Sequence, residues 1–171
     1  MLNGEIRTRR TVLRKYTEDD RAECVRIMTD PEVNKYMGGR TEDQAEGNKI
    51  FDKIAGIYSG SLGTRHFEIW AIEFEGKLIG DFELKETTNT LPGELEVVYM
   101  IDKPYWGMGI VPEILIDIIK YSTAMNKKVI ATLNPENIQT VRVLEKAGIE
   151  KQEWVTEGDD TYYKIWLKEK H

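Results

Sequence analysis

The stretch YMIDKPYWGMGIVPEIL, residues 99–115, decides how the chain is read. An apolar run ends at Ile101, Pro104 follows, Gly107 and Gly109 flank a single residue, and a new apolar pattern opens at Ile110. A strand, a glycine turn and a helix start in succession make a ready anion site. The first N–H groups of a helix lack partners within it, and the helix dipole places partial positive charge there. Glycines let the backbone curl into a nest of N–H groups with no Cβ to hold a phosphate off. Taken alone, the Gly-Met-Gly triplet is equally a tight turn that binds nothing. Two familiar phosphate loops are excluded: no Gly-Lys-Ser/Thr ending occurs, and neither a third glycine nor a ribose-binding acid about 20 residues on is present.

Upstream of this stretch, LEVVYMI (95–101) is nearly continuous in apolar residues, as expected for a strand buried on both faces. Glu96 is the ionisable exception. Such a group marks a candidate functional acid, the alternative being an acid at the solvent end of the strand. Downstream, Ile114, Leu115, Ile118 and Ile119 fall at helical spacing, and Pro112 is tolerated only in the first turn of that helix. KVIATL (128–133) reads as another buried strand. NPEN (134–137) opens a helix with the stripe Ile138, Val141 and Leu144, stopped by Gly148. IEKQEWV and TYYKIWL, joined around Gly158, form a closing hairpin.

The first half of the chain has a different rhythm. TVLRKY (11–16) reads as a short strand. Thr17, with Asp20 as its capping-box partner, opens a helix to about Met28. DPEVNKYMGGR (30–40) is loop-like, punctuated by Asp30-Pro31 and Gly38-Gly39. A second helix starts at Thr41 with Gln44 in the capping-box place and carries Ile50, Phe51, Ile54, Ala55 and Tyr58 at helical spacing. HFEIWAIEF, the turn EGK and LIGDFELKE make a hairpin, followed by the loop TTNTLPGE. The order β-α-α-β-β-β-α-β-α-β-β is that of a mixed α/β sheet in one domain over residues 1–171, since no repeat or linker interrupts it.

A formal net charge of −6 argues against a nucleic-acid partner, which wants a basic footprint, and suits an amine-bearing substrate. No apolar run approaches the ~20 residues of a membrane span, and MLNGEIRTRR lacks the apolar core of a secretory signal. The single cysteine, Cys24, lies in a helical pattern with Ala22, Val25 and Met28. It excludes a disulfide framework and fits a reducing cytoplasm. Two histidines, one of them His171, and one cysteine cannot assemble a zinc-type cluster, so no metal is expected.

YMIDKPYWGMGIVPEIL followed by NPENIQTVRVLEKAGIE resembles the acetyl-CoA-binding half of the GNAT acetyltransferase superfamily, and specifically its branch of ribosomal-protein N-terminal alanine acetyltransferases. The matching residues are Pro104, Trp106, Gly107, Gly109 and Glu113, then Asn137, Thr140, Leu144, Glu145, Lys146, Gly148 and Ile149. LRKYTEDD, DPEVNKYMG and WAIEFEGKLIGDFEL extend the likeness over nearly the whole chain. Val111 and Pro112 depart from the usual Ala-Thr, Thr140 stands for the usual Ser, and Ile149 for the usual Phe.

The resemblance implies a central mixed, mostly antiparallel sheet, splayed between the family's strands 4 and 5 and flanked by about four helices. It also implies acetyl-CoA as cosubstrate without a metal. The pyrophosphate would sit on Trp106, Gly107, Met108, Gly109, Ile110 and Val111. The backbone of Tyr99, Met100 and Ile101 would pair with the pantetheine arm and the thioester carbonyl. Asn137 would reach that arm from the other side, or else serve only as a first-turn residue of its helix.

Direct acetyl transfer needs a neutral amine, a donor for the carbonyl oxygen and a proton for the leaving thiolate. Glu96 is the first candidate base, with Glu83 and Asp81 behind it. Thr140 is the candidate near the thiol, because Leu144 occupies the place where many members carry a tyrosine; Tyr99 and Tyr105 stay open. Tyr36 and Met37 are the acceptor-side candidates, while Phe51 and Tyr58 read first as core. The acceptor is expected to be a protein N-terminal α-amine, with a small-molecule amine or a non-catalytic acyl-CoA-binding role as alternatives. The expected protein is cytoplasmic, a monomer or homodimer, with no membrane partner.

Overall fold

A computed structural model describes residues 4–37, 41–61, 63 and 65–169. Gly38-Gly39 and His171 lie outside the described residues. Twelve elements follow one another: β1 (Ile6–Arg7), β2 (Thr11–Arg14), α1 (Arg21–Met28), α2 (Gln44–Ser59), β3 (Phe67–Phe74), β4 (Lys77–Lys85), β5 (Glu94–Ile101), α3 (Ile110–Ala124), β6 (Lys128–Leu133), α4 (Ile138–Ala147), β7 (Ile149–Glu157) and β8 (Asp160–Leu167). The strand order is β1-β2-β3-β4-β5-β6-β8-β7. This is the expected mixed α/β architecture with four α-helices, plus one short strand, β1, that the sequence reading did not contain.

The described chain divides into two compact units, one of residues 1–84 and 98–108, the other of residues 85–97 and 109–171. In the first unit β1, β2 and β3 pair antiparallel, with Leu13 opposite Ile72. The apolar faces of α1 and α2 close one side of it, where Val25, Ile27, Met28, Phe51 and Ile54 bury against Ile69, Ala71 and Leu78. The capping box at Thr17 and Asp20 is present and opens a 3-10 turn that runs into α1. The second helix starts three residues later than Thr41. Asp43 is its N-cap, accepting from the Ala45 N–H at 2.7 Å, and Thr41 braces that cap through its own hydroxyl. The β3–β4 hairpin turns on Glu75 and Gly76, at φ 51° and 74°. Both central residues of this two-residue turn have positive φ, which matches the right-handed twist of the strands.

In the second unit β6 and β8 pair antiparallel, β8 pairs antiparallel with β7, and β5 runs parallel to β6. The parallel register joins Glu94, Leu95 and Glu96 to Lys128, Val129 and Ile130, and residues 97–101 of β5 lie beyond it. Helix α3 buries Ile114, Leu115, Ile118 and Ile119 completely or nearly so, and lies against β6 and α4. In α4 the expected stripe is only partly buried: Leu144 is fully covered, Ala147 joins it, and Ile138 stands 62% exposed in the first turn. β7 is an edge strand with no residue of its span fully buried.

Candidate functional site

Strand β5 leads into the glycine stretch through a short, well-bonded connection. Asp102, buried at the end of the strand, accepts from the Lys103 N–H at 3.0 Å and from Arg26 Nη2 of α1 at 2.5 Å. Its own N–H donates to the Ile79 carbonyl at 2.8 Å. A 3-10 turn over Lys103–Tyr105 follows, with Pro104 near its start, where a missing N–H costs nothing. The Trp106 indole then donates back to the Ile101 carbonyl at 2.7 Å. That carbonyl is therefore occupied by the protein itself.

Gly107 has φ +74°, a left-handed conformation that L side chains rarely adopt, and a Cβ built there would meet nothing within 4 Å. Gly109 is the N-cap of α3, also left-handed at φ 73°, with no side-chain cap. The Ile110 and Val111 N–H groups thus open a helix that has no side-chain cap, and Pro112 contributes no donor. Open space at Gly107 and uncapped N–H groups beyond Gly109 fit a phosphate group. Trp106 and Met108 are both partly exposed beside them.

Glu96 is buried, with 5% of its surface exposed, and its carboxylate is wrapped by polar neighbours. The Thr132 hydroxyl of β6 donates to Oε1 and the Thr87 hydroxyl to Oε2. The Asn89 amide reaches both oxygens at 3.5 and 3.4 Å. The group is thus an interior acid with an assigned orientation, and the solvent-end alternative is excluded. Neither Thr87, Asn89 nor Thr132 was singled out from the sequence. The only signal was a run of hydroxyl and amide residues in a loop, TTNT, and one threonine inside IATL.

A second buried acid, Glu94, sits two residues earlier on β5. Lys164 Nζ donates to its Oε2 at 2.9 Å, the Leu91 N–H to the same atom at 3.0 Å, and the Trp166 indole to Oε1 at 2.6 Å. Burial opposes the charge on Glu94, but these three donors outweigh it and hold the carboxyl below its ordinary value. Lys164, 7% exposed in the otherwise apolar YYKIWL, was the overlooked clue.

The remaining candidates separate. Asn137 caps α4, its side-chain oxygen accepting from the Thr140 N–H at 3.3 Å, so the cap uses Oδ1 and the amide nitrogen is its other polar end. Thr140 is half-buried in that first turn. Asp81 is committed to the Tyr16 hydroxyl at 2.7 Å, and Glu83 is half-buried. Tyr99 stacks on Phe82 with ring centroids 6.1 Å apart, and Tyr105 meets Phe74 edge-on at 5.9 Å. Tyr36 and Met37 follow a turned segment in which the Met37 N–H donates to the Asn34 carbonyl, with Tyr36 exposed. Phe51 and Tyr58 are structural: Phe51 packs edge-on against Tyr16, and the Tyr58 hydroxyl bridges the Tyr16 N–H and the Ile69 carbonyl.

Comparisons with known proteins agree with this architecture. The profile of the family described as "Acetyltransferase (GNAT) domain" matches residues 10–150. An uncharacterized N-acetyltransferase, p20 of Bacillus licheniformis, is 27% identical over 150 residues, covering 85% of this chain and 82% of that protein. Among solved structures, Mycobacterium smegmatis RimJ in complex with CoA-disulfide superposes with a TM-score of 0.75 at 19% identity, covering 96% of this chain and 85% of that one. The aminoglycoside acetyltransferase AAC(6')-Ib, in complex with paromomycin and acetyl-CoA, superposes with a TM-score of 0.72 at 19% identity, covering 92% and 93%. At these identities the structures attest the fold, and the family rests on the profile. The chain belongs to the GNAT acetyltransferase family and is an N-acetyltransferase.

Proposed function

We propose that this chain, acting as one domain in the cytoplasm, moves an acetyl group directly from acetyl-CoA to an amine, and that the amine is a protein N-terminal α-amino group. The observation that carries the reading is Glu96: an interior carboxylate oriented by three polar side chains, on the strand that continues into the Gly107–Gly109 turn. RimJ and AAC(6')-Ib were both solved with coenzyme A species, which supports acetyl-CoA as the cosubstrate here. The N–H groups from Gly107 to Val111 would hold its pyrophosphate, and the backbone at Tyr99 and Met100, with the Asn137 amide, would hold the pantetheine arm. Acetyl-CoA supplies the activated acyl group. Glu96 takes the proton from the attacking amine, directly or through one water, as the N–C bond forms. The C–S bond then breaks, and the coenzyme A thiolate would take a proton from Thr140 or from a water that Thr140 holds. Tyr36 and Met37 face the acceptor.

An α-amine has a pKa near 7.7–8.0 and is partly neutral at cytoplasmic pH, whereas freeing a lysine near 10.4 of its proton costs roughly 3–4 kcal/mol more. That favours the α-amine. A small-molecule amine is the second reading, favoured by the likeness to AAC(6')-Ib, which was solved with aminoglycosides.

The test has two steps. Melting with and without acetyl-CoA at ~100 times its dissociation constant should show ~2.7 kcal/mol of stabilisation in the wild type. Gly109→Val, which forces a β-branched residue into the left-handed region, should show none. Thiol release is then followed with peptides beginning in Ala or Ser against a panel of polyamines and aminoglycosides. Preference for the panel establishes the second reading, and release with no acceptor of either kind leaves only a cofactor-binding role.

A further inference from the structure

Glu94 and Glu96 lie two residues apart on β5 and so share one face of the strand. Both grip the same loop, residues 86–93. The Glu94 side holds main chain: Leu91 donates its N–H to Glu94 Oε2, and Lys164 Nζ, bound to that same oxygen, donates at 2.7 Å to the Asn89 carbonyl. The Glu96 side holds side chains, the Thr87 hydroxyl and the Asn89 amide. Asn89 is therefore fixed at both ends, by its carbonyl at Lys164 and by its amide at Glu96. The strand register brings the two ends together. Lys164 stands opposite Thr132 across the β6–β8 ladder, Thr132 donates to Glu96 Oε1, and the Asn89 amide lies 3.4 Å from the Thr132 hydroxyl.

A buried lysine is costly unless paired and hydrogen-bonded. Glu94 accounts for the charge of Lys164 but not for its second bond, to a loop carbonyl. That bond has one structural consequence: it sets where the Asn89 side chain starts. We propose that Lys164 is a positioning residue for Glu96, acting through Asn89. By clamping the Asn89 carbonyl it places the amide across both carboxylate oxygens, and so fixes the rotamer from which Glu96 accepts the acceptor amine's proton. The inference rests on the reading of Glu96 as proton acceptor.

Two variants isolate the link. Asn89→Ala keeps the carbonyl that Lys164 holds and removes only the amide. Lys164→Met in a Glu94→Gln background removes the clamp without leaving a buried charge unpaired. Each is measured for kcat and KM, and for the 13C resonance of the Glu96 side-chain carboxyl, assigned by its loss in Glu96→Gln. Misplacing a catalytic group by about an ångström costs up to ~100-fold, so a drop in kcat of about tenfold is expected in each, with KM for acetyl-CoA within about twofold. The combination should be no worse than either alone, and the carboxyl resonance should move alike in both.

Losses that multiply in the combination overturn the proposal. So does a Glu96 resonance unmoved in Asn89→Ala, a variant that retains every bond of Lys164. If Glu96→Gln leaves kcat unchanged, the reading of the base fails by itself, and the carboxyl resonance alone still decides whether Lys164 positions the group.

Discussion

Gly80 of β4 lies so close to the Met100 carbonyl that a Cβ at that position would stand 2.1 Å from the oxygen and 3.1 Å from the Ile101 Cδ1. The oxygen is backbone, so a methyl group can be accommodated only if β5 moves. Met100 belongs to the segment proposed to pair with the pantetheine arm. Gly80→Ala is therefore expected to act twice: on stability, by about 1–3 kcal/mol as for other overpacked interiors, and on acetyl-CoA binding. Urea denaturation reads the first effect, and the ligand-induced melting shift reads the second. A destabilised variant with an undiminished shift would detach Met100 from the cofactor.

This relationship was not legible in the sequence, and the reason is physical. IGDF carries a glycine inside a strand pattern, which signals a close approach without naming the partner, and the partner is a carbonyl 20 residues on. What was legible is local. The hydrophobic period located every helix, and capping chemistry placed the start of α1 at Thr17 and Asp20. The glycine turn was legible because two glycines stand between a strand pattern and a helix pattern, and both adopt the left-handed conformation that glycine tolerates. Where two caps compete the reading slipped, as at Thr41 and Asp43, because the Asp43 oxygen takes the cap and the Thr41 hydroxyl only supports it. The Glu96 surroundings depend on register between β5, β6 and β8, which no local pattern encodes. The exposure of Ile138 was missed for the opposite reason: helical spacing identifies a stripe but not how far along it the neighbouring strands reach.

Acid should destabilise the chain through two carboxylates held by different partners. Burial opposes the charge on Asp20, but the bidentate Arg14 guanidinium at 2.8 and 2.9 Å and the Thr17 N–H outweigh it and hold the carboxyl below its ordinary value. Glu94 is lowered likewise by Leu91, Trp166 and Lys164 against its own burial. A carboxyl lowered in the native state contributes stability that is complete above its unfolded value, about 4, and is lost as pH falls through the lowered native value. The urea midpoint should be flat from about pH 7 to 5 and then fall. Asp20→Asn should lower the midpoint at pH 7 and flatten part of the acid slope, and an unchanged slope would show that Asp20 is not among the groups responsible.

Cys24 is buried and unreactive by construction. Burial pushes its thiol up to about 12, with the charge of Asp81 adding to the shift. At pH 8 the thiolate fraction is then about one in ten thousand, and the thiolate is the nucleophile. A disulfide reagent should titrate no thiol in the native protein and one after denaturation. Cys24→Ala should keep turnover within about threefold, as direct transfer requires. Trapping of an acetyl group on Cys24 would overturn direct transfer.

Glu96→Gln is the decisive substitution for the chemistry. Glutamine is nearly isosteric, and the Thr87 and Thr132 hydroxyls can turn to donate to its oxygen or accept from its amide, so the fold should survive. The variant cannot take a proton from the amine, a contribution usually worth about 10²–10⁴ in rate, so kcat should fall by that order with KM for acetyl-CoA little changed. The loss should shrink as pH rises past about 8 with a peptide α-amine, because the substrate then arrives already neutral. With an acceptor amine of pKa near 10 the same recovery should come about two pH units later. A rate that stays low at every pH would assign Glu96 to holding the loop rather than to proton transfer. A rate unchanged at pH 7 would send the search for the base to another residue.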